Sequence, residues 1–419
     1  MNETDIGFEE CSVLYCPEMR HSMSEAELIE EGWRKIGIER WVCPLHARDT
    51  LNVTVVGGMG KLGSVMAEHI RHYYPVRIAD KHGEATRAAT ADADIVIIIV
   101  DTGSLPDGAY DISNVCAACE EVDVSRWKLV MICSTVNPGD TEGAVRWALE
   151  RDGKRAHWDF GLVYVPELVR QGCVREDYAR PTQVIAGVQT QIEESAVAEF
   201  CARAQDIEPT FMSIESAEIA KLAVNTFLTA KMAKANEVAW LCQYTPGADA
   251  KDVLEVVGAD PRIADAYIRP GPPPGGRCFP RDDAALAAAW HKSGLGPAMC
   301  EGVPLFRRRQ IVEMATLAGT GGKVGIAGLS FKSGVADATE SPGMELSDLL
   351  HAETYDPKLP STCGSLEELV DKCDSIVLAM PFEGDSALLD MDLLGKTIWD
   401  WWGTFGDVFL RFGKGQETC

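Results

Sequence analysis

The stretch Asn52-Val53-Thr54-Val55-Val56-Gly57-Gly58-Met59-Gly60-Lys61-Leu62-Gly63 decides the fold of the part of the chain that follows it. It begins as a β-rich run, spaces three glycines as G-x-G-x-x-G, and leads into an amphipathic helical stretch. In a strand–turn–helix setting these glycines permit a tight turn, close approach of a pyrophosphate and tight helix–strand packing. The stretch therefore predicts a dinucleotide-binding α/β domain. The alternative is a glycine turn in another kind of α/β domain.

The next predicted strand, residues 76–79, ends in Asp80, where a carboxylate would accept hydrogen bonds from both ribose hydroxyls. Such a carboxylate repels a 2′-phosphate, so the sequence favours NAD over NADP. Later strands are predicted at 94–100, 129–133, 163–167 and 183–186, and ligands bind at the carboxyl ends of parallel strands. Polar residues there are candidates to line a crevice, although each also suits a turn or a cap: Thr102, Thr135 and Glu167. The predicted cofactor-binding residues are Gly58, Met59, Gly60, Leu62, Gly63, Asp80, Thr102 and Thr135.

Composition limits the class of protein. The chain has 419 residues and 46% hydrophobic content, which suits two or three packed domains. A net charge of −25 argues against a nucleic-acid partner. The acidic start of the chain is unlike a signal peptide, and the apolar run 95–100 is too short to cross a membrane. Fourteen cysteines without a small disulfide framework indicate reduced thiols and a cytoplasmic location.

Residues 1–49 are predicted to form a separate, zinc-ribbon-like appendage. Two close pairs of soft ligands, Cys11 with Cys16 and Cys43 with His46, fit a tetrahedral structural zinc site. The gap in the first pair is wider than the common spacing, so His21 is an alternative ligand. The other interpretation is that these cysteines are ordinary reduced thiols.

A long helix is predicted from Glu215 to about Gln243. Lys221 and Asn225 are four residues apart and share one face of this helix, with Glu218 one turn before the lysine. A solvated surface charge is the simpler interpretation of the lysine. A lysine and an asparagine stacked within an otherwise apolar helix are better explained as a pair that points into a site.

The segment Gly271-Pro272-Pro273-Pro274-Gly275-Gly276-Arg277-Cys278-Phe279-Pro280-Arg281-Asp282 places one cysteine in a turn, with a carboxylate four residues later. The glycines and the proline display the thiol, whereas most cysteines are buried. The segment alone leaves open whether Cys278 is catalytic. Helical sequence continues to about residue 318, and a second α/β unit follows, with strands predicted at 323–328, 375–380 and about 397–401. Lys332 follows the first of these strands.

With these residues laid out, the chain resembles the UDP-glucose/GDP-mannose dehydrogenase family of nucleotide-sugar 6-dehydrogenases over roughly residues 51–402. Several motifs occur in the family's order. They are Gly58-x-Gly60-x-x-Gly63, Ser134-Thr135-Val136, Pro166-Glu167, Lys221-x-x-x-Asn225-x-Phe227-Leu228, Gly275-Gly276-x-Cys278-Phe279-Pro280-x-Asp282, and Phe331-Lys332 with Asp337 and Glu340-Ser341-Pro342. Cys-Phe-Pro is most like the UDP-glucose branch of the family.

The resemblance implies the four-electron oxidation of a UDP-hexose, UDP-glucose to UDP-glucuronate, with two hydrides passed in turn to NAD. Cys278 is then the nucleophile that forms a thiohemiacetal and a thioester. Lys221 and Asn225 would stabilise the oxyanion, and three further residues would position water and shuttle protons, namely Asp282, Glu167 and Thr135. The implied substrate-binding residues are Glu167, Lys221, Asn225, Arg262, Gly275 and Lys332. Arg262 would come from the partner subunit of a homodimer built on the central helix.

The predicted fold class is α/β, with two Rossmann-like doubly wound domains joined by the long central helix and preceded by the appendage. The predicted divisions are 1–49 for the zinc-binding appendage, 50–200 for the NAD-binding domain, 201–320 for a central helical dimerisation and catalytic region, and 321–419 for a UDP-sugar-binding Rossmann-like domain.

The chain departs from the family at several positions. Gln171 stands where a carboxylate of the water network is expected, and Thr339 and the pair Trp401-Trp402 stand where arginines are expected. Two other functions therefore stay open. One is a two-electron 3-hydroxyacid-type dehydrogenase, which would leave the cysteine loop unexplained. The other is a catalytically impaired nucleotide-sugar-binding protein with the appendage as a docking module.

Overall fold

The computed structural model describes residues 51–80, 84–296, 298–406, 410–411 and 413–414, together with the backbone of 34–35 and 41–42. The chain divides into two compact units, Met1–Lys221 and Leu222–Cys419. In the segment before residue 51, Arg34–Lys35 pairs antiparallel with Trp41–Val42. Apart from this pairing, the predicted appendage, including its four zinc ligands, lies outside the described residues. Those ligands are Cys11, Cys16, Cys43 and His46.

The first unit contains, in its described part, a seven-stranded sheet. Its strands are β1 Val53–Val56, β2 Val76–Ala79, β3 Ile95–Ile98, β4 Leu129–Ile132, β5 Gly161–Tyr164, β6 Ile185–Gly187 and β7 Thr210–Met212. The strand order is β7-β6-β5-β4-β3-β1-β2, parallel throughout except where β6 runs antiparallel to β5. The winding direction reverses between β1 and β3, and such a switch point is where open α/β sheets bind ligands.

Helices cover both faces of this sheet. They are α1 Lys61–Ile70, α2 Glu84–Ala91, α3 Ser113–Glu120, α4 Arg146–Leu149, α5 Val174–Ala179 and α6 Gln191–Gln205, with a π-helical turn at Thr141–Val145 and a short ladder between Gly103–Ser104 and Tyr110–Asp111. Alternate residues of β3 enter two separate cores, since Ile95 and Ile97 pack with α1 and α6 while Val96 and Ile98 pack with α3. Burial on both faces explains why the central strands read as continuous β-branched runs.

The long helix α7 spans Ile214–Gln243, and the boundary between the two units falls inside it. The start predicted from the sequence, Glu215, is one residue later than the observed start at Ile214. The second half of α7 packs against a second parallel sheet, which belongs to the second unit. Its strands are β8 Val324–Ala327, β9 Glu353–Tyr355, β10 Ser375–Leu378, β11 Thr397–Asp400 and β12 Leu410–Arg411. The order of this five-stranded sheet is β9-β8-β10-β11-β12, as far as the structure describes the chain.

The helices of the second unit after α7 are α8 Ala250–Ala259, α9 Phe279–Lys292, α10 Ala298–Gly319, α11 Pro342–Leu350 and α12 Leu366–Lys372, with a 3₁₀ turn at Asp385–Asp390. The helical run predicted after the cysteine loop is thus two helices. The α/β class with parallel sheets is confirmed, whereas the four-part division of the chain stays a prediction. Among the described residues, no helix combines the length and the apolarity that a membrane crossing requires.

Candidate functional site

The glycine turn between β1 and α1 excludes side chains for steric reasons. Gly57 has a φ of +87°, and a Cβ placed on it would lie 2.0 Å from the carbonyl oxygen of Ile99. A Cβ on Gly63 would lie 2.2 Å from the carbonyl oxygen of Gly57, because the first turn of α1 packs directly on the end of β1. Gly58 is also restricted, since its Cβ would meet Ile78, whereas Gly60 has slightly more room.

The start of α1 is arranged to receive an anion. Gly60 is its N-cap residue, no described side chain caps the helix, and its first turn carries no acidic residue. Free N–H groups and the helix dipole therefore favour a phosphate at this end. Asp80, exposed at the end of β2, accepts a 3.2 Å hydrogen bond from the backbone N–H of Met59. Leu62 packs against the adjoining core. These residues fit the pyrophosphate and ribose of NAD.

The loops after β3 and β4 are joined by a serine. The Ser134 hydroxyl accepts a 2.8 Å hydrogen bond from the N–H of Val100 and lies 2.9 Å from the carbonyl oxygen of the same residue. Thr102 is buried at the end of the first loop, and Thr135 is half-buried in the second. Both predicted residues therefore lie at the carboxyl edge of the sheet, where the sequence places them.

Glu167 and Lys221 are brought together in the first unit. The Lys221 ammonium donates a 2.8 Å hydrogen bond to the backbone carbonyl of Glu167. Desolvation of the carboxyl group raises the pKa of Glu167 to about 7, with the Lys221 charge acting in the opposite direction. A carboxyl group with this pKa exchanges protons near neutral pH, which suits a general acid or base.

Glu218 fixes the loop that follows β4. Its buried carboxylate accepts hydrogen bonds from the backbone N–H groups of Gly139 and Thr141, at the start of the π-helical turn. Burial raises the pKa of Glu218, although the backbone N–H groups stabilise its ionised form. The carboxylate therefore ties the Thr135 loop to α7, one turn before Lys221.

In the second unit, Cys278 is exposed and is the N-cap residue of α9. The turn before it packs tightly on another segment. Gly276 has a φ of +87°, and its Cβ would lie 2.7 Å from the ring of Phe331. A Cβ on Gly275 would lie 2.2 Å from the carbonyl oxygen of Glu340. The motif that contains the cysteine and the motif at 331–342 are therefore two sides of one contact.

Asn225 joins this contact from α7. Its side-chain amide donates to the carboxylate of Asp282, which is 1% exposed. Asp282 lies in the first turn of α9, where its N–H donates a 2.9 Å hydrogen bond to the carbonyl oxygen of Cys278. The structure thus brings together Cys278, Asn225 and Asp282.

The remaining predicted substrate residues of the second unit have different surroundings. Lys332 is exposed and follows Phe331. Arg262 is exposed and forms an ion pair with Asp260, 2.6 Å between Nη2 and Oδ2. The Nε atom of Arg277 lies 3.5 Å from Oδ2 of Asp337. The Asp337 carboxylate also accepts a 2.6 Å hydrogen bond from the Thr339 hydroxyl.

Side chains from two helices hold the proline run of the cysteine loop. Asn236 of α7 accepts a hydrogen bond from the N–H of Gly271, and Gln310 of α10 donates to the carbonyl oxygen of the same residue. Arg307 donates to the carbonyl oxygen of Pro274. Trp402, at a position where the sequence analysis expects an arginine, places its ring against Gly271 and donates its indole N–H to Ala379. The prolines are thus fixed at both ends.

Some residues of this arrangement are missing from the sequence predictions. The carboxyl group of Asp283, next to Asp282, lies 2.8 Å from the Thr229 hydroxyl of α7. The available signal is the spacing, because Thr229 follows Asn225 by four residues and so lies on the same helix face. As for metals, the part of the chain that the structure describes contains no cluster of three or more His, Cys, Asp or Glu side chains suited to an ion.

Comparison with known proteins agrees with these features. The model of the UDP-glucose/GDP-mannose dehydrogenase family, NAD binding domain, matches residues 76–205, and the model of the central domain of the same family matches residues 215–305. The UDP-glucose 6-dehydrogenase of Haloferax volcanii is 30% identical over 352 residues, 78% of this chain and 80% of that protein. The UDP-glucose 6-dehydrogenase of Rickettsia bellii is 29% identical over 276 residues, 63% of this chain and 62% of that protein.

A solved structure of a UDP-glucose dehydrogenase from the hyperthermophilic archaeon Pyrobaculum islandicum has a TM-score of 0.72 to this chain. The two are 26% identical, and the superposition covers 83% of this chain and 93% of that one. The resemblance drawn from the sequence motifs is therefore confirmed. The chain belongs to the UDP-glucose/GDP-mannose dehydrogenase family of NAD-dependent nucleotide-sugar dehydrogenases.

Proposed function

We propose that the chain oxidises UDP-glucose to UDP-glucuronate in two NAD-dependent steps through a covalent bond to Cys278. The observation that carries the proposal is the exposed thiol at the start of α9, one turn from a buried carboxylate that accepts a hydrogen bond from Asn225. The choice of UDP-glucose follows the relatives from Haloferax volcanii and Rickettsia bellii, both UDP-glucose 6-dehydrogenases.

The chemistry needs a nucleophile because an aldehyde has no hydride to give until something adds to it. In the first step the C6 alcohol loses a proton and a hydride and becomes the aldehyde. The Cys278 thiolate adds to the aldehyde carbon, and the resulting thiohemiacetal loses a second proton and hydride to give a thioester. Water then cleaves the thioester, which releases the carboxylate and the thiol. Bound NAD supplies the hydride acceptor in both oxidations.

The proposed roles of the other residues follow from their chemistry. Lys221 and Asn225 donate hydrogen bonds to the oxygen that carries developing negative charge. Glu167, whose pKa is raised to about 7, and Asp282 move protons and orient water, together with the Thr135 hydroxyl. Lys332 and the backbone at Gly275 hold the UDP-sugar. Gln171 cannot take a proton, so we expect thioester hydrolysis to be the slow step.

We propose a homodimer built on α7 and α8. Within the second unit, these two helices expose large apolar side chains that a partner would bury: Phe227, Leu241, Val253 and Val256. In that dimer Arg262 would serve the partner's site. Mixing inactive Arg262→Ala and Cys278→Ala proteins should then restore about a quarter of the wild-type activity, because half of the dimers are mixed and each has one intact site. No recovery on mixing would contradict the role of Arg262 across the interface, and a monomer in sedimentation would contradict the dimer.

The structural zinc site of residues 1–49 and the cytoplasmic location remain proposals. The described cysteines form no disulfide bonds with one another, which suits a reducing compartment. Metal analysis of the purified full chain should find about one zinc per chain, and less than about half an equivalent would contradict the zinc site.

The test of the function is NADH formation with a panel of UDP-, GDP- and dTDP-hexoses, with the product identified by mass. We expect two NADH per UDP-glucose and a product in which the CH₂OH group has become a carboxylate. One NADH per substrate would favour a two-electron dehydrogenase of the 3-hydroxyacid type. Binding of UDP-sugars without turnover would favour the impaired binding protein, for which Gln171 is the supporting observation.

A further inference from the structure

A second buried carboxylate lies beside Asp282, and nothing in the proposed reaction uses it. Asp283 is 4% exposed and faces α7 one turn further along than its neighbour. Asp282 accepts a hydrogen bond from Asn225, and Asp283 pairs with Thr229 at 2.8 Å. Two consecutive acids of α9 are therefore fixed to two positions of one face of α7.

The single proton of the Thr229 hydroxyl has two acceptors within reach, and the acceptor it takes sets the form of Asp283 that the contact holds. The Thr229 hydroxyl lies 3.0 Å from the carbonyl oxygen of Thr226, which can only accept. When Thr229 donates its proton to Asp283, the carboxyl group accepts it in the ionised form. When Thr229 donates to the Thr226 carbonyl instead, the proton between Thr229 and Asp283 comes from a neutral Asp283. Burial raises the pKa of Asp283 to about 7 and the charge of Asp282 adds to this effect, although a hydrogen bond donated by Thr229 would act against it.

The other groups that face Asp283 do not neutralise it. Cys300, on α10, has its own pKa raised by burial and by the charge of Asp283. Arg307, also on α10, lines the same cavity of about 40 Å³, but its guanidinium is bonded to Glu345 and to the carbonyl oxygens of Pro274 and Glu340. Among the described residues no cation forms an ion pair with Asp283. A buried carboxyl group without a cation is more stable in its neutral form.

We propose that Asp283 is a positioning residue that acts as a neutral hydrogen-bond donor to Thr229, holds α9 in register on α7, and weakens the reactivity of Cys278 when it ionises. The inference rests on the proposed role of Cys278. Loss of the proton puts a second negative charge beside Asp282, close to the helix start where the thiolate must form. It also removes the donor that fixes the two helices. The neutral form prevails below about pH 7, so its contribution is lost as the pH rises through that value.

The experiment compares Asp283→Asn, which keeps a donor and cannot ionise, with Asp283→Ala and Thr229→Val, which lose the bond. Two readouts are taken from about pH 6 to pH 9 on the full chain: kcat with UDP-glucose, and the rate at which iodoacetamide alkylates Cys278, followed by peptide mass. We expect Asp283→Asn to keep kcat within about 2-fold below pH 7 and to lose the transition near neutrality. Its Cys278 should reach full alkylation rate at lower pH than in the wild type. Asp283→Ala and Thr229→Val should lower kcat about 10-fold with KM unchanged.

Two results would overturn the inference. One is an Asp283→Asn protein whose kcat and alkylation profiles both match the wild type, because ionisation of Asp283 would then have no effect. The other is a loss of kcat in Asp283→Asn as large as in Asp283→Ala, because the donor would then be irrelevant. If no nucleotide sugar is turned over, the alkylation profiles still decide the inference, and the proposed function alone fails. Thermal unfolding of each variant identifies any that does not fold, and Thr229→Val then tests the bond from the other side.

Discussion

Two glycine turns in this chain each lead into a helix and contain a glycine with the same positive φ, but they differ in chemistry. Residues 57–63 in the first unit lead into α1, and residues 275–278 in the second unit lead into α9. Each contains a glycine with a φ of +87°, Gly57 in one and Gly276 in the other. The first turn of α1 has no acidic residue and no side-chain cap, whereas α9 begins at a cysteine and carries a buried aspartate in its first turn.

The difference explains what each helix start is suited to hold. The free N–H groups of α1 leave room for a negative charge that arrives with a ligand. The start of α9 holds groups of the chain itself, the Cys278 thiol and a carboxylate bound to Asn225. The same favourable field for an anion thus serves binding in the first turn and, under the proposed function, nucleophilic attack in the second.

The largest effect should come from removing the nucleophile. Cys278→Ala should lower kcat for UDP-glucose oxidation by at least about 10³-fold, because the second oxidation has no thiohemiacetal to act on. NADH formation measures this loss. Cys116→Ser, a half-buried cysteine on α3, is the matched control and should keep wild-type activity. Comparable turnover in Cys278→Ala and Cys116→Ser would show that the second turn does not supply a nucleophile.

A methyl group in the first turn should weaken NAD binding and leave the second turn unchanged. In Gly63→Ala the new Cβ meets the Gly57 carbonyl oxygen at 2.2 Å, so the turn must move. We expect NAD affinity to fall about 100-fold and the free energy of unfolding to fall by about 2 kcal/mol. Gly143→Ala is the control, because its Cβ would meet open space. Isothermal titration with NAD measures the affinity of both variants. Equal affinities would show that the close packing of Gly63 on the Gly57 carbonyl is unimportant for NAD binding.

The equivalent change in the second turn should affect turnover more than cofactor binding. In Gly276→Ala the Cβ would press on the Phe331 ring at 2.7 Å and the residue would keep an unfavourable positive φ. We expect kcat to fall about 30-fold with NAD affinity unchanged. Gly294→Ala shares the positive φ but has open space around its Cβ, so it should cost only about 1 kcal/mol of stability. A change in NAD affinity in Gly276→Ala would mean that the two turns are not independent.

The smallest effect concerns the carboxylate beside the first turn. Asp80→Asn weakens the acceptor for the Met59 N–H and for the ribose hydroxyls. We expect the KM for NAD to rise about 10-fold with kcat within about 2-fold. Steady-state kinetics with NAD and NADP measure this. An unchanged preference for NAD in this variant would mean that another residue selects the cofactor.

How far the sequence predicts each turn depends on the distance to its partners. Asp80 follows Met59 by 21 residues, within one strand–helix–strand unit, so spacing alone identifies the pair. Asp282 is 57 residues from Asn225, and no periodic pattern connects them. Their association is predictable only through the resemblance to a family. For Thr229 the sequence offers only its four-residue spacing from Asn225, and the three-dimensional contact is what pairs it with Asp283.

The shortest strands are the least predictable part of the fold. β7 has three residues, Thr210–Met212, and β12 has two, Leu410–Arg411, which is too short for any periodicity. The central strands are predicted because they are buried on both faces and therefore apolar throughout. The role of Glu218 is hidden for another reason, since its partners Gly139 and Thr141 use backbone N–H groups that any residue provides.

The most direct test of the central claim is the mass of the peptide that contains Cys278 after rapid acid quenching of the full chain during turnover of UDP-glucose with NAD. We predict an adduct of the UDP-glucuronyl group on Cys278, and we expect it to accumulate because Gln171 cannot take a proton during thioester hydrolysis. Steady formation of two NADH per UDP-glucose, with no adduct on Cys278 at any quench time and with equal turnover in Cys278→Ala, would contradict the account.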